Sequence, residues 1–304
     1  MKTFGLKNCV ISGCFTACLS LLLLLLLFLL AGNLIFKKIF NSGTEFGFDR
    51  IGKSKKETNF VPNSHLHPID EEIVLRVALI SDTENNWDAL SDALDLIKSQ
   101  DIKYVIHTGD ITSFGVKSDL QRVKDMVLER GLELLPVPGD RDIYKSGKKS
   151  GDKANFQDVY GDAYYTKEVE GIHMLFIDNS NEYGGIDPEQ WGFIEANIDM
   201  AYFVFLHNPI YFTDTLFGSK GMGQYSEYVN EQRKDLLVLV RNSDVVAVFA
   251  GDQHLFSEVS DAEDAGLNHY VVGSLSDERN LELPNFAILN IYKNNDYFVE
   301  KITL

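Results

Sequence analysis

Cysteine is missing from the chain after residue 18, and its absence excludes two kinds of site from most of the length. The 304 residues contain only three cysteines, Cys9, Cys14 and Cys18. Neither a disulfide framework nor a thiolate metal site can therefore form in the remaining chain. Any metal ion bound there must be held by histidine and carboxylate side chains.

Basic residues are also scarce relative to acidic ones. The chain has 28 Lys and Arg against 45 Asp and Glu, which gives a formal net charge of −17. A surface that binds nucleic acid needs a basic face, so the balance argues against a nucleic-acid partner. The hydrophobic fraction of 45% is sufficient for a substantial core.

One long apolar run stands out near the N-terminus, over residues 10–36. It exceeds the ~20 residues that a membrane-spanning helix needs, whereas the apolar core of a signal peptide is usually ~7–15 residues long. We expect a retained single span, with a cleaved signal peptide as the alternative. The predicted organisation is a tail and transmembrane helix over 1–40, a flexible linker over 41–70 and one domain over 71–304.

The orientation of this span depends on which signal is followed. Residues 37–56 contain six Lys and Arg, against Lys2 and Lys7 on the other side. Counting these charges places the domain in the cytoplasm. A short Lys-bearing N-terminus followed at once by an apolar run is the layout of an export signal-anchor. We therefore expect a single-pass membrane protein with an extracytoplasmic domain.

The first half of the domain alternates between strands and helices. Apolar runs predict strands over 73–82, 104–110 and 132–140, while helical spacing predicts helices over 86–100 and 119–131. Such alternation indicates βαβ units and a largely parallel sheet.

The second half has a different pattern. We predict a hairpin over 163–179 that turns at Gly171, and a helix over 187–198 with Asp187 as its N-cap. Apolar strands are predicted over 201–209 and 245–254. Further antiparallel strands are predicted over 269–275 and to the C-terminus.

Five of the predicted strands end in polar clusters. These clusters read ISDTE (80–84), HTGD (107–110), VPGDRD (137–142), FLHNP (205–209) and AGDQH (250–254). A single strand that ends in Gly-Asp is ordinary turn chemistry. Ligands of α/β sheets collect outside the carboxyl ends of the strands, so five clusters in one domain indicate a site.

The order and content of these clusters resemble those of the calcineurin-like metallophosphoesterases. The family pattern is D-x-H, GD, GNH followed by Asp or Glu, a lone His, and G-H-x-H, each at a strand end. The chain has DTE (82–84), GD (109–110), GDRD (139–142), a lone His at 207 and GDQH (251–254). The resemblance implies a four-layer α/β fold of two mixed β-sheets flanked by α-helices, here preceded by the transmembrane helix.

The resemblance also implies two divalent metal ions and hydrolysis of a phosphate ester by a metal-bridging hydroxide. Carried over residue by residue, Asp82 and His254 would bind the first ion, and Asp110 would bridge both. His207 would bind the second ion. These four residues match the family pattern.

Four other positions depart from the pattern. Glu84 and Asp252 stand where the family has histidine ligands, and Asp140 stands for an asparagine. All three can still bind a divalent ion, and the shift toward oxygen favours Mn²⁺, Mg²⁺ or Fe²⁺ over Zn²⁺. The fourth departure is Arg141, at the position of the catalytic histidine.

Charge suggests a role for Arg141. Five carboxylates with two dications leave a formal charge of about −1, which Arg141 brings near zero. Arg141 could also hold substrate phosphate through two hydrogen bonds, but a group with a pKa above ~12 cannot act as a general acid. We predict Asp110, Arg141 and Asp142 as catalytic residues, with Asp142 orienting its neighbours. Asn208 is predicted to contact the substrate beside Arg141.

Several alternatives remain open at this point. The clustered charges could form a metal-free salt-bridge network, and the domain could be a catalytically silent, tethered binding module. A nucleotide-binding domain is less well supported, because no Gly-rich loop occurs in the required context. His107 is either a support of the site or a buried core histidine, and Arg279 either reaches the site or lies in a solvated loop. The predicted substrate is a small-molecule or lipid phosphate ester, and the sequence does not decide the oligomeric state.

Overall fold

Two mixed β-sheets form the centre of the protein, as a computed structural model shows for residues 72–143, 152–211, 221–280 and 282–304. The predicted tail and span over 1–40 and the linker over 41–70 lie outside these described residues. Among the described residues, no helix combines the length and apolarity that crossing a membrane requires.

The described strands divide into a five-stranded and a six-stranded sheet. In chain order they are β1 (Ile73–Ile80), β2 (Tyr104–His107), β3 (Glu133–Pro136), β4 (Tyr165–Val169), β5 (Ile172–Phe176), β6 (Phe203–Phe205), β7 (Ala247–Ala250), β8 (Ser257–Ser260), β9 (Asn268–Val271), β10 (Asn285–Tyr292) and β11 (Tyr297–Thr303). The orders are β11-β10-β1-β2-β3 and β4-β5-β6-β7-β9-β8. Strands β1 to β3 are parallel, as are β5, β6, β7 and β9.

Helices cover the outer faces of both sheets. They are α1 (Trp87–Ser99), α2 (Lys117–Glu129), α3 (Ala154–Tyr160), α4 (Pro188–Asn197), followed by a 3₁₀ turn (Ile198–Met200), and α5 (Glu227–Arg241). Helices α1 to α3 pack with the first sheet, and α4 and α5 pack with the second. This arrangement confirms the predicted α/β fold of two mixed sheets flanked by helices.

The alternation of side chains along the strands produces these layers. In β1, Val77 and Leu79 point into the apolar core between the sheets, while Ala78 and Ile80 pack under α1 and α2. Successive side chains of a strand point to opposite faces, and here both faces are apolar. Strands buried on both faces therefore appear in the sequence as continuous apolar runs.

Side-chain caps fix where several helices begin. Asn86 accepts a hydrogen bond from Ala89 N, and Asp187 accepts one from Gln190 N at 2.9 Å. Each cap satisfies a backbone donor that the first helical turn leaves open. The predicted cap at Asp187 is confirmed.

Strand β9 corrects one prediction. Residues 269–275 were expected to form an antiparallel strand, but β9 pairs in parallel with β7 and antiparallel with β8. The four residues of β9 are all buried, which is typical of a strand in the interior of a parallel sheet. Helix α5 has no counterpart among the predicted elements, although Leu236 and Val240 lie on its buried face.

The parallel strands bring the five polar clusters to one edge of the molecule. Backbone hydrogen bonds join these clusters, from Asp82 N to Gly109 O at 3.0 Å and from Gly251 N to His207 O at 2.8 Å. Ser276 N, which follows β9, donates to Asp82 O at 2.9 Å and so connects the two sheets. The loops are thus positioned by the sheets and by one another.

Candidate metal centre

The structure brings all seven predicted metal ligands into one region at the carboxyl ends of the strands. Five of these side chains are buried, namely Asp82, Glu84, Asp110, His207 and His254. Asp140 and Asp252 are partly exposed. Solvent therefore reaches the region on the side of these two carboxylates.

The ligands form three overlapping groups that could each hold a metal ion. Within each group, one possible ligating atom per residue lies within 4.8 Å of the others. The groups are Asp82 with Glu84 and His254, Asp82 with Asp110 and His207, and Asp140 with His207 and Asp252. Because Asp82 and His207 each belong to two groups, neighbouring ions would share ligands.

Only one of the two carboxylate oxygens of Asp82 accepts hydrogen bonds from the described residues. Its Oδ2 accepts hydrogen bonds from Ser81 Oγ at 2.6 Å and from Asp252 N at 3.1 Å. Its buried Oδ1 has no hydrogen-bond partner among the described residues, and His254 Nε2 lies 3.6 Å away. A buried carboxylate oxygen without a partner is costly, so this atom fits a site built to receive a cation.

Both histidines present the nitrogen that a metal ion needs. His207 Nδ1 lies 2.9 Å from Thr108 O, and His254 Nδ1 lies 2.9 Å from Glu278 O. A carbonyl oxygen can only accept, so Nδ1 carries the proton in each ring and Nε2 faces the carboxylates. Hydrogen bonding of the second nitrogen to a carbonyl is the usual support of a metal-binding histidine.

Burial and like charges disfavour ionised carboxylates at the centre of the site. Burial raises the pKa of Asp82, and it raises the pKa of Asp110 well above the usual value with help from the charges of Asp140 and Asp82. Burial acts to lower the pKa of His207, but the charge of Asp110 and the hydrogen bond to Asp140 outweigh it and raise this pKa well above its usual value. The site therefore attracts positive charge, either as protons or as metal ions.

Arg141 and Arg279 supply positive charge from within the chain. Arg141 Nε lies 2.8 Å from Glu84 Oε1 and 3.4 Å from Asp110 Oδ2. Arg279 Nη2 lies 2.6 Å from the same Glu84 oxygen. Burial acts to raise the pKa of Glu84, but His254 and the two arginines outweigh it and lower this pKa. Arg279 therefore reaches the site, which was one of the two alternatives that the sequence left open.

Asp142 holds two of the ligand loops together. Its carboxylate accepts hydrogen bonds from Ile111 N, Thr112 N and Gly139 N at 2.9–3.0 Å. This side chain is fully buried. Asp142 thus contacts the backbone of both loops, and its predicted catalytic role stays a prediction.

The glycines of the Gly-Asp motifs allow the loops to approach each other closely. A Cβ atom on Gly139 would lie 2.1 Å from both the backbone nitrogen and Oδ1 of Asp110. A Cβ atom on Gly109 would lie 2.5 Å from His207 Nδ1, and the φ of Gly109 is +99°. Any larger residue would displace a predicted ligand at either position.

Asn179 is a supporting residue that the sequence analysis missed. It follows β5, and its Oδ1 accepts hydrogen bonds from His207 N at 3.0 Å and Asn208 N at 2.9 Å. Asn208 Nδ2 in turn donates to Asn179 O at 3.0 Å. This pairing gives Asn208 a structural partner, and its predicted substrate contact stays a prediction. The IDNS run after a strand is the only signal that could have indicated Asn179.

Five of the predicted ligands have a left-handed backbone conformation. Their φ angles lie between +46° and +67°, for Asp82, Glu84, Asp110, Asp252 and His254. Such conformations cost about 1–3 kcal/mol each and collect at functional sites, where the surroundings maintain them. This strain supports a functional origin for the cluster.

Comparison with known proteins identifies the family. The family model described as calcineurin-like phosphoesterase matches residues 75–256, which is more than half of the chain. The chain belongs to this family. An uncharacterized protein of Methanocaldococcus jannaschii is 30% identical over 103 residues, which cover 34% of this chain and 41% of that protein. The match thus spans less than half the length of that relative.

Solved structures of low sequence identity share the fold. A dimetal phosphatase from Danio rerio has a TM-score of 0.53 at 15% identity, covering 76% of this chain and 98% of that one. A purple acid phosphatase from yellow lupin (Lupinus luteus) has a TM-score of 0.57 at 14% identity, covering 78% and 52%. GAP50, described as the anchor in the inner membrane complex of Plasmodium, has a TM-score of 0.54 at 17% identity, covering 76% and 85%.

Proposed function

We propose that the protein is a membrane-anchored, metal-dependent phosphoesterase that uses two divalent ions to hydrolyse a phosphate ester. The observation that carries this proposal is the buried Oδ1 of Asp82, which has no hydrogen-bond partner in the part of the chain that the structure describes. Asp82 belongs to two of the three metal-competent groups. Membership of the calcineurin-like phosphoesterase family supports the type of reaction.

The ligands divide between two ion positions. The first position consists of Asp82, Glu84 and His254, and the second of Asp140, His207 and Asp252. Asp110 lies between them, since it forms the third group with Asp82 of the first position and His207 of the second. The oxygen-rich ligands favour Mn²⁺, Fe²⁺ or Mg²⁺ over Zn²⁺. Divalent ions bound there would lower the pKa of water and polarise a phosphoryl oxygen.

The side chain of Arg141 is placed to bind the phosphate anion. It is 26% exposed on the open side of the site, and its Nε is anchored to Glu84. A guanidinium group can bind two phosphate oxygens, but it cannot supply a proton to the leaving group. The enzyme should therefore prefer esters whose leaving group departs without protonation.

Metal content and turnover test the proposal together. The purified full chain should contain about two divalent ions and hydrolyse bis(4-nitrophenyl) phosphate in the presence of Mn²⁺, Fe²⁺ or Mg²⁺. The variant Asp110→Asn should lose both properties, while a variant of the exposed Asp95 should keep them. Absence of metal from the wild-type chain after dialysis against each ion would contradict the proposal.

A catalytically silent binding module is the second candidate. The observation in its favour is that Arg141 replaces the expected catalytic histidine and, with Arg279, pairs with Glu84. A silent module would bind metal or a phosphate-bearing ligand without turning over activated monoesters or diesters. Sustained metal-dependent turnover would exclude it.

Anchoring by residues 10–36, with the domain outside the cytoplasm, is part of the proposal. The support is the length of the apolar run in the sequence. A membrane substrate such as a lipid phosphate ester is compatible with this location, as is a small soluble ester. Protease added to intact cells should release the domain, and release only after cell lysis would reverse the proposed orientation.

A further inference from the structure

Arg279 contacts two atoms that the first ion position would need. The loop after β9 brings its Nη2 to 2.6 Å from Glu84 Oε1 and 3.0 Å from His254 Nε2. Both residues belong to the group that Asp82 completes. The guanidinium group is therefore hydrogen-bonded to two of the three predicted ligands of the first position, and it provides a positive charge there.

The hydrogen bonds of His254 leave one ring nitrogen, Nε2, that can bind either Arg279 or a metal ion. Since Nδ1 donates its proton to Glu278 O, the ring has one lone pair in its plane, on Nε2. That lone pair accepts from Arg279 in the structure, and the same lone pair would bind a metal ion. Arg279 and an ion cannot share it, so one must leave when the other binds.

We propose that Arg279 is an internal cation that competes with the divalent ion for the first position, so that the two positions fill with unequal affinity. This inference rests on the proposed metal-dependent function. The second position, formed by Asp140, His207 and Asp252, includes neither Glu84 nor His254. An ion can therefore bind there first, while the first position fills only after Arg279 has moved away.

The loop that carries Arg279 is held in place, but the side chain can leave. Ser276 Oγ donates to Glu84 Oε2 at 3.2 Å and accepts from Glu278 N at 3.0 Å, which connects the loop to the site. The side chain of Arg279 is 43% exposed. Its departure toward solvent therefore needs no rearrangement of the core.

The charge balance supports competition over simple stabilisation. In the protonation state that metal binding requires, with five ionised carboxylates and neutral histidines, the two guanidinium groups leave the side chains with a formal charge of −3. Without Arg279 the sum would be −4, and its single charge offsets this excess only in part, so a dication of sufficient concentration should displace it. Arg279 then tunes the metal concentration at which the first position is occupied.

Titration of the full chain with Mn²⁺ by isothermal calorimetry tests this inference without measuring activity. Wild type should show one tight and one weaker binding event, and Arg279→Ala should strengthen the weaker event by roughly tenfold or more, since it removes the competing cation. Arg122→Ala is the control, because Arg122 on α2 lies over the ring of Trp87 on α1, and the substitution should leave both events unchanged. Identical affinities in wild type and Arg279→Ala would overturn the inference.

Two further variants show at which ion position Arg279→Ala acts. The gain from Arg279→Ala should persist in His207→Ala, which impairs the second position, and should vanish in His254→Ala, which removes the contested nitrogen. A gain that persists in His254→Ala would show general electrostatic attraction and would overturn competition for that atom.

The outcomes also separate this inference from the proposed function. Equal metal affinities together with hydrolysis would refute the role of Arg279 and leave the phosphoesterase intact. A clear affinity gain without any hydrolysis would support Arg279 and refute the enzyme. Failure of every variant to bind Mn²⁺ would refute both.

Discussion

His107 and Thr83 join the first two ligand loops through a buried hydrogen bond. His107 Nε2 lies 2.9 Å from Thr83 Oγ1, and both residues are fully buried. Gly109 N donates to His107 Nδ1 at 3.3 Å, so the proton of the neutral ring is on Nε2 and is donated to Thr83. The histidine is both a core residue and a support of the site, which unites the two interpretations of the sequence.

This arrangement predicts a loss of stability in acid. Burial, with the charge of His207, lowers the pKa of His107 to about 3, whereas an unfolded histidine titrates near ~6.5. The depressed pKa means that the contribution of His107 is fully present above pH ~6.5 and is lost as the pH falls toward 3. At pH 5 the loss should be about 2 kcal/mol in the free energy of unfolding.

Urea unfolding of His107→Gln between pH 8 and pH 5 checks the prediction. Glutamine can keep a donor near Thr83 but does not titrate. Between pH 8 and pH 5 the free energy of unfolding of His107→Gln should therefore fall by about 2 kcal/mol less than that of wild type. His173→Gln is the matched control, because His173 is 49% exposed on β5. Equal slopes in wild type and His107→Gln would count against the buried neutral histidine.

Removing Asn179 should destabilise the fold at the lone-histidine loop. In Asn179→Ala, the backbone N–H groups of His207 and Asn208 lose their common acceptor while remaining buried. Leaving two buried donors unsatisfied should cost about 2–5 kcal/mol, seen as a lower midpoint of thermal unfolding. Asn294→Ala, which changes an exposed turn, should cost less than about 1 kcal/mol. Similar losses in the two variants would refute the role given to Asn179.

The sequence predicted those parts of the site that are local to a strand end. Asp82, Asp110 and Asp140 each come within four residues of the end of a strand, and parallel strands bring such ends together whatever the loops do. Most helices and strands were predictable for the same reason, since their periodicity is contained within a few residues.

Residues that reach the site from distant parts of the sequence could not be predicted in this way. Arg279 lies 195 positions from Glu84, and its loop follows β9, whose parallel pairing with β7 was not predicted. Four buried residues carry no signal for the direction of their partner strand. The position of Asn179 likewise depends on β5 and β6 being neighbours, which only the assembled sheet determines.

The proposed phosphoesterase activity predicts that a histidine at position 141 changes which phosphate esters are hydrolysed. General acid catalysis contributes about 10²- to 10⁴-fold, mainly for poor leaving groups. In Arg141→His, kcat for a phenyl phosphodiester should therefore rise by about 10²-fold or more. The 4-nitrophenyl ester should gain far less, and KM should rise for both because the proposed contact of Arg141 with the anion is lost.

Arg141→Gln is the control for this substitution, since it removes the guanidinium without adding an acid. It should raise KM and give no gain in kcat. A wild-type preference for 4-nitrophenyl over phenyl esters that is unchanged in Arg141→His would contradict the proposed absence of a general acid.

The charge of Asp82 should stabilise the metal-loaded protein and destabilise the metal-free one. Because burial raises the pKa of this carboxyl group, its ionised form is disfavoured in the folded chain without metal. Asp82→Asn keeps the shape and an oxygen to accept from Ser81 and Asp252 N, but removes the charge. In EDTA at pH 7 the variant should therefore unfold at a higher temperature than wild type.

Addition of Mn²⁺ should make wild type more stable than Asp82→Asn. Ligand binding to the folded state raises its stability by about 2.7 kcal/mol when the free ion is a hundredfold above its dissociation constant. Wild type should show such a gain, and Asp82→Asn should show little of it, because Asp82 belongs to two of the three groups. If the variant instead melts lower than wild type in EDTA and gains equally from Mn²⁺, then Asp82 is a structural hydrogen-bonding residue, and the unpartnered oxygen is not a metal ligand.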